Sequence, residues 1–540
     1  MYQLSDFTAS PRGDLFGGVT AAIVALPLAL AFGIASGAGP MAGLYGAIFV
    51  GFFAAVFGGT RTQISGPTGP MTVVMTAVIV QFSADYPEAG LQLAFATVIV
   101  AGLIQIAMGM LKLGRYITMV PYPVISGFMS GIGVIIILLE IGPLLGYPAS
   151  GGVLESVSMI PTELAHPVLT AVWLALLTLA LVFFWPARLN RIIPAPLVAL
   201  IVGTLALLLI APDSPIEHIG EIPSGLPVPA MPPLEWSALG AILKNGVVLA
   251  MLGAIDSLLT SLVADNMSRT QHDSDKELLG QGIGNTLAGF FGGLPGAGAT
   301  MRTVVNIRAG GEGPLSGVVH ALVLLAIATS IGFLFEDIPQ VVLAAILVKV
   351  GVDIIDWPFL KRLHRVPRGP AALMLLVFVL TVFVDLITAV LVGVFIANVI
   401  TIEELTNRKL KDVVLSDGKA GTERLSEAER AYLNDPDANK VLLRVDFQLT
   451  YAVARGLRAR VAGFGKIDQF LIDLRGAGML DVTTVSFLEE LTQDIQDSGG
   501  KVMLACDDQQ VLSSLENWGL LAMLGQENIR PVADDYYALA

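Results

Sequence analysis

Between Gly17 and Val399 the chain is a succession of apolar stretches, each close to the length needed to cross a lipid bilayer, divided by short loops. A bilayer core is about 30 Å thick and takes roughly 20 apolar residues per helix. Inside it every backbone N–H and C=O must be satisfied within the protein, which leaves helices as the spanning structure for runs of this kind. Only 14% of the residues are charged, against about 25% in a soluble domain. From Glu403 onward the composition turns ordinary and acidic. The reading is a polytopic helical membrane domain over 1–402, a charged linker over 403–437, and a soluble domain over 438–540.

The formal net charge of −14 argues against nucleic acid as a partner. The single cysteine, Cys506, lies in the soluble tail, which fits a reducing cytosol and forbids an internal disulfide. The five histidines and one cysteine have no metal-site spacing. Arg12 and Asp14 precede the first apolar run with no small-residue cleavage site, so that span is expected to stay.

Fourteen candidate spans start near Gly17, Met41, Pro70, Leu91, Val120, Pro167, Ala195, Ser237, Gly280, Thr300, Ser316, Val341, Pro370 and Leu386. Segments 37–40, 83–91, 140–167, 213–236, 293–299 and 335–340 lack Lys and Arg, while the alternate loops carry Arg61, Lys112, Arg115, Arg188, Arg191, Arg269, Lys276, Arg308, Lys361 and Arg362. By the positive-inside rule the second set is cytoplasmic. Both termini then lie in the cytoplasm, which requires an even number of spans; twelve would satisfy parity as well as fourteen.

A repeat is hidden in the membrane part. Segment 65–75 reads SGPTGPMTVVM and segment 296–306 reads GAGATMRTVVN, an offset of 231 between their Thr-Val-Val triplets. Phe57-Gly58-Gly59 echoes Phe291-Gly292-Gly293 at a similar offset. Seven spans per half, about 13–212 and 237–402, make the halves insert in opposite senses. Paired Gly/Pro-interrupted spans in corresponding positions point to a transport site near the midplane. Pro67 and Pro70 block backward helix growth, and the Gly-rich stretch before Thr300 is a poor helix. Each copy is therefore expected to be an extended strand followed by a half-helix. Two facing helix N-termini, each carrying roughly half a positive charge, form an anion site. Ordinary kinked helices packed through glycine are the plainer alternative.

Asp256 falls mid-span, where a carboxylate is costly and marks function by default. Thr260 follows at i+4 on the same helix face. A carboxylate, a hydroxyl and carbonyls near Gly298 and Thr300 would suit Na⁺; a titrating Asp256 would suit H⁺; a purely structural Asp is the plain reading. Arg302 sits in the first turn of the second half-helix, where it would favour an anion, snorkel to water or pair structurally. In the tail, strands at 441–445, 470–474 and 502–505 alternate with helices at 482–496 and 509–515, implying a small α/β domain. It has no phosphate loop or nucleophile constellation, so no enzyme activity is expected.

These features together resemble the SulP anion permease family. The stretches GDLFGGVTAAIVALPLALAFGIASG, SGPTGPMTVV, DKELLGQGIGN and RTVVNIRAGG carry the likeness, and LIDLRGAGMLDVTTVSFLEEL resembles the signature of a STAS domain. Within the family the chain is similar to the sodium-dependent bicarbonate transporters of cyanobacteria, through IASGAGPMAGLYGA, PTGPMTVVMTAVI, GATM, TVVNI and LVKVGVDIIDWPFLKR. The resemblance implies a 7+7 inverted repeat in which a core domain (spans 1–4 and 8–11) moves against a gate domain. It implies an anion at Thr68, Gly69, Ala299 and Thr300, with Arg302 beside it. It implies Na⁺ at Asp256, Thr260, Gly298 and Thr300, a homodimer in the inner membrane, and a cytoplasmic regulator of the STAS domain.

Two positions depart from that branch: Gly66 stands where it tends to carry Glu, and Arg302 where it tends to carry Gly. The site is more positive in consequence. The first expectation is Na⁺-coupled bicarbonate uptake. The second is a sulfate or dicarboxylate transporter, H⁺-coupled or an exchanger, and the third is an anion channel or sensor. The STAS start, FQLTYAVARG at 447–456, also departs from the family, and Asp481 is followed by Val482 and Thr483 where sigma-factor regulators carry a phosphorylatable Ser.

Overall fold

The computed structural model describes residues 6–7, 9–117, 120–149, 152–190, 193–220, 228–233, 235–330, 335–384, 386–419, 422–435, 438–445, 451–478, 480 and 482–530. Asp481, Arg191 and residues 447–450 lie outside them. The chain divides into two compact units, Met1–Phe395 and Ile396–Ala540.

The first unit is helical. In chain order it runs α1 (Pro11–Ala35), α2 (Pro40–Phe57), β1 (Ser65–Gly66), α3 (Gly69–Asp85), α4 (Gly90–Met110), α5 (Tyr122–Leu139), α6 (Ile141–Leu145), α7 (Val153–Ala165), α8 (Leu169–Phe184) and α9 (Ala195–Ile210). It continues α10 (Leu239–Ser268), α11 (Ser274–Phe290), β2 (Ala297–Gly298), α12 (Thr300–Arg308), α13 (Leu315–Ser330), α14 (Gln340–Ile354), α15 (Arg368–Phe383) and α16 (Leu386–Asp412), the last entering the second unit. Proline at the first turn starts α1, α2, α3, α5 and α9, where its missing N–H is harmless.

A helix begins at or near each of the fourteen expected starts. By length and composition, however, only six helices among the described residues can cross a membrane alone, or seven with the pair α7–α8, bent by 112°. The others are too short: α9, α13 and α15 have 16 residues each, and α12 has 9. The count of fourteen therefore does not follow from helix length.

The helices pack in two groups. In one, α1 lies against α2 and α13, and α11 against α2 and α4; in the other, α14 packs on α5 and α8, and α15 on α5. Close approach in the first group depends on glycine: a Cβ at Gly43 of α2 would collide with the carbonyl of Ala29 in α1. Asp14 ties α1 to the turn before α13, its Oδ1 accepting the amides of Glu312 and Gly313 at 2.8 Å each. Exposed Leu169, Phe184, Leu209 and Phe395 give the outer helices an apolar surface of the kind lipid covers.

The second unit is α/β. Its strands are β3 (Val414–Ser416), β4 (Lys440–Arg444), β5 (Gln469–Asp473), β6 (Lys501–Ala505) and β7 (Ile529–Arg530), in that spatial order. β3 pairs antiparallel with β4 and the other pairs are parallel. Parallel neighbours need crossovers, supplied by α18 (Tyr451–Val461), α19 (Val482–Asp497) and α20 (Gln509–Asn517), with α17 (Glu427–Leu433) preceding β4. Alternation along β4 and β5 sends Val441, Leu443, Phe470 and Ile472 into one core and Leu442 and Leu471 into another with Tyr432.

Among the described residues, the expected linker 403–437 carries regular structure. It holds the end of α16, strand β3, and α17, which Ser426 and Glu429 close with a capping box. Its charges had disguised a short buried strand: Val414, Leu415 and Ser416 are all buried.

Candidate functional site

The two lead-in segments meet. β1 pairs antiparallel with β2, Ser65 opposite Gly298 and Gly66 opposite Ala297. Ala299 N–H adds a bond to the Ile64 carbonyl at 2.8 Å. This pairing satisfies backbone groups of two non-helical segments between buried helices, and it sets α3 and α12 on one site. Neither N-cap residue, Thr68 or Ala299, caps its helix through a side chain. Helix-internal bonding starts only with Thr72 N–H to Thr68 C=O and Thr303 N–H to Ala299 C=O, both at 2.9 Å. The amides before them lie at the positive ends of the two dipoles.

Three of the four proposed cation ligands are bonded to one another. Thr260 Oγ1 donates to the Gly298 carbonyl at 2.9 Å and lies 2.8 Å from Thr300 Oγ1. Ser257 Oγ, on the same face of α10, accepts the Gly298 amide at 3.0 Å. Asp256, one turn before Thr260, is buried, and its Oδ2 takes no hydrogen bond.

Arg302 does not snorkel. It is 2% exposed, and its Nη2 donates to the Pro67 carbonyl at the end of β1. Its Nη1 fills the place of an absent side chain: a Cβ at Gly66, whose φ is +155°, would lie 2.7 Å from it. Arg302 Nη1, Thr68 Oγ1 and Asp256 Oδ2 are buried and make no well-formed hydrogen bond, while Thr68 and Arg302 both lie close enough to Asp256 to act on its carboxylate. Three orphaned polar atoms, one cationic, one hydroxyl and one carboxylate, thus border the half-helix ends. Buried polar atoms are normally satisfied, so their state here fits groups that a small ion would complete. A narrow cavity runs from Gly69 past Thr72 and Thr76 to Glu140.

The reading from sequence missed the polar face of α11. Glu277, Gln281 and Asn285 recur every fourth residue and are all buried, a spacing that was visible in DKELLGQGIGN. It also missed His320 of α13, buried with both ring nitrogens unpartnered.

The sulfate permease family profile matches residues 12–377, and the STAS domain profile matches 432–535. The chain is a member of the sulfate permease family. It is 47% identical to the bicarbonate transporter BicA of Picosynechococcus sp., over 94% of this chain and 90% of that protein. It is 46% identical to BicA of Synechocystis sp., over 96% and 92%. The putative sulfate transporter YvdB of Bacillus subtilis is 30% identical over 98% and 96%. Among solved structures, the transmembrane domain of a cyanobacterial BicA matches with a TM-score of 0.67 at 54% identity, covering 70% of this chain and 97% of that one. SLC26A9 matches with a TM-score of 0.81 at 17% identity, over 100% and 91%, and so shares the fold. This permease accordingly has the SLC26-type membrane transporter fold with a STAS domain.

Proposed function

We propose that this permease is a secondary active transporter that takes up bicarbonate with Na⁺, by alternating access of its core helices against its gate helices. The observation that carries the reading is the β1–β2 pairing. It gathers two uncapped half-helix ends, the orphaned Thr68 Oγ1 and the Arg302 guanidinium around one site. High identity to two bicarbonate transporters supports the choice of anion. The anion sits at Thr68, Gly69, Ala299 and Thr300, with Arg302 adding positive charge behind β1. The cation sits at Asp256, Thr260, Gly298 and Thr300, whose carboxylate, hydroxyl and carbonyl oxygens are the hard donors Na⁺ prefers. Each ion offsets the charge of the other, which couples their binding.

The arrangement is completed by fourteen spans in a 7+7 inverted repeat, both termini in the cytoplasm of a cell with this chain in its inner membrane, and a homodimer. Catalysis has no part in it. Purified protein in liposomes should take up labelled bicarbonate faster with an inward Na⁺ gradient and ignore sulfate. Sodium-independent sulfate uptake without bicarbonate uptake would overturn the assignment. That second reading, a sulfate or dicarboxylate transporter, draws on the buried Arg302, which favours a divalent anion.

A further inference from the structure

Glu277 lies outside the ion site yet is bonded toward it on every side. Its side chain is buried in α11 and accepts four hydrogen bonds. Oε2 takes the amides of Gly59 and Thr60 at 3.0 and 2.9 Å. Oε1 takes Gln63 Nε2 and Gln281 Nε2 at 2.7 and 2.8 Å. All four partners are N–H donors, so the carboxylate is a fixed acceptor, and a proton placed on it would cost one of these bonds. It is unlike Asp256, which has an oxygen to spare.

The limbs lead inward. Ser261 Oγ shares its one proton between the Ser257 carbonyl at 2.9 Å and Gln63 Oε1 at 3.1 Å, and lies 2.7 Å from Thr60 Oγ1. The bonds close a ring: Glu277, Gln63, Ser261, Thr60 and back to Glu277. Ser261 follows Thr260 on α10. The Gln63 amide is pressed against Gly298, where a Cβ would lie 2.6 Å from its Cδ. Gln281 carries the second limb to Ser65 Oγ, at 2.6 Å. Asn285, one turn further, clasps Gly296: its Oδ1 accepts the Gly296 amide at 2.7 Å and its Nδ2 donates to the Gly296 carbonyl at 2.9 Å. The three residues run along α11 as a ladder whose rungs hold both lead-in segments.

We propose that Glu277 is the positioning residue of the cation half of the site, fixing the Gly298 carbonyl and Thr260 through Gln63 and Ser261. This rests on the transport reading above. The physical reason is that β1 and β2 are only 2 residues each. Such a pair is marginal alone and needs side chains to hold its register against α10. A charge-assisted bond contributes more than a neutral one, so the acidic rung dominates.

The test measures Na⁺ half-saturation, anion KM and maximal rate for full-length protein in liposomes. Glu277→Gln should raise Na⁺ half-saturation about tenfold, as expected for a lost bond to a charged group, with a smaller change in anion KM. Gln63→Ala removes the bonds to Glu277 and Ser261 and the packing on Gly298 while leaving the carboxylate in place, and should reproduce most of that shift in protein that stays monodisperse. Ser261→Ala combined with Glu277→Gln should shift half-saturation by much less than the product of the single effects. Variants that lose only maximal rate, or single effects that multiply, would overturn the positioning role. Wild-type protein with no Na⁺ dependence would instead overturn the transport reading. In that case the cation role of Glu277 falls with it, whereas Na⁺ dependence in wild type with an unshifted half-saturation in Glu277→Gln would overturn the positioning role alone.

Discussion

The two copies of the strand–half-helix unit have matching backbones and different chemistry. In the first, α3 runs 17 residues and turns its hydroxyls mainly on itself: Thr72 Oγ1 bonds the Thr68 carbonyl at 2.8 Å and Thr76 Oγ1 the Thr72 carbonyl at 2.9 Å, with a longer contact of Thr76 Oγ1 to the Ala35 carbonyl at 3.3 Å. In the second, α12 runs 9 residues and spends its polar side chains outward. Thr300 meets Thr260, Arg302 reaches the Pro67 carbonyl, Thr303 accepts the Ile64 amide at 3.0 Å, and Asn306 donates to the Thr62 carbonyl at 2.9 Å. The repeat thus supplies two equivalent dipoles, while almost all side-chain recognition comes from one copy and from α10. The difference between the two segments lies in their side chains, and the proposed separation of cation from anion rests on it.

The largest expected effect falls where no copy has a counterpart. Asp256→Ala should abolish Na⁺-stimulated uptake, a loss of at least about a hundredfold for removing a buried charge from its site, while the protein remains folded by size exclusion. Retained stimulation would remove Asp256 from the cation site. Next comes the point where the copies touch. Gly66→Ala imposes a strained φ and displaces Arg302 Nη1; a cost of about 1–3 kcal/mol is expected, with a drop of roughly tenfold or more in kcat/KM. Adding Arg302→Gly should recover part of that loss in the same liposome assay. If it recovers none, backbone strain alone is responsible.

Arg302→Gly by itself sharpens the asymmetry. It should weaken competition by divalent anions about tenfold, and by monovalent anions less, because a double charge gains more from a nearby cation. Equal weakening would make Arg302 a brace for β1 and nothing more. The smallest contrast compares like residues. Thr303→Val orphans the Ile64 amide and should raise anion KM about fivefold, the effect of roughly 1 kcal/mol from an unsatisfied buried donor. Thr72→Val, which breaks only a bond within its own helix, should stay within about twofold of wild type. Similar values for the two would erase the distinction between copies.

Much of this was legible in the chain. Apolar runs gave helix positions, and the Thr-Val-Val echo placed both half-helices. The mid-span carboxylate singled out Asp256, and alternating strands revealed the α/β tail. What stayed hidden has physical causes. Span number cannot be counted from helix length when α9, α13 and α15 are short and α12 is a fragment. The direction of Arg302 could not be known, because Gly66, which admits it, is 236 positions earlier in sequence. Glu277 belongs to DKELLGQGIGN, where Glu277, Gln281 and Asn285 follow one another at intervals of four, a polar stripe that is plain only once α11 is seen to be buried. Residues 403–437 misled because surface charges outnumber the three buried residues of β3.

The β1–β2 pairing also sets a schedule for synthesis. Ser65 is made 233 residues before its partner Gly298. At about 5–20 residues per second, the first strand waits on the order of tens of seconds for its mate. Throughout that wait its peptide groups, bare in hydrocarbon, would cost several kcal/mol each. The nascent first half must therefore be kept near water or held by the insertion machinery until the second half arrives. A chain truncated between the halves should be recognised as unfinished and degraded.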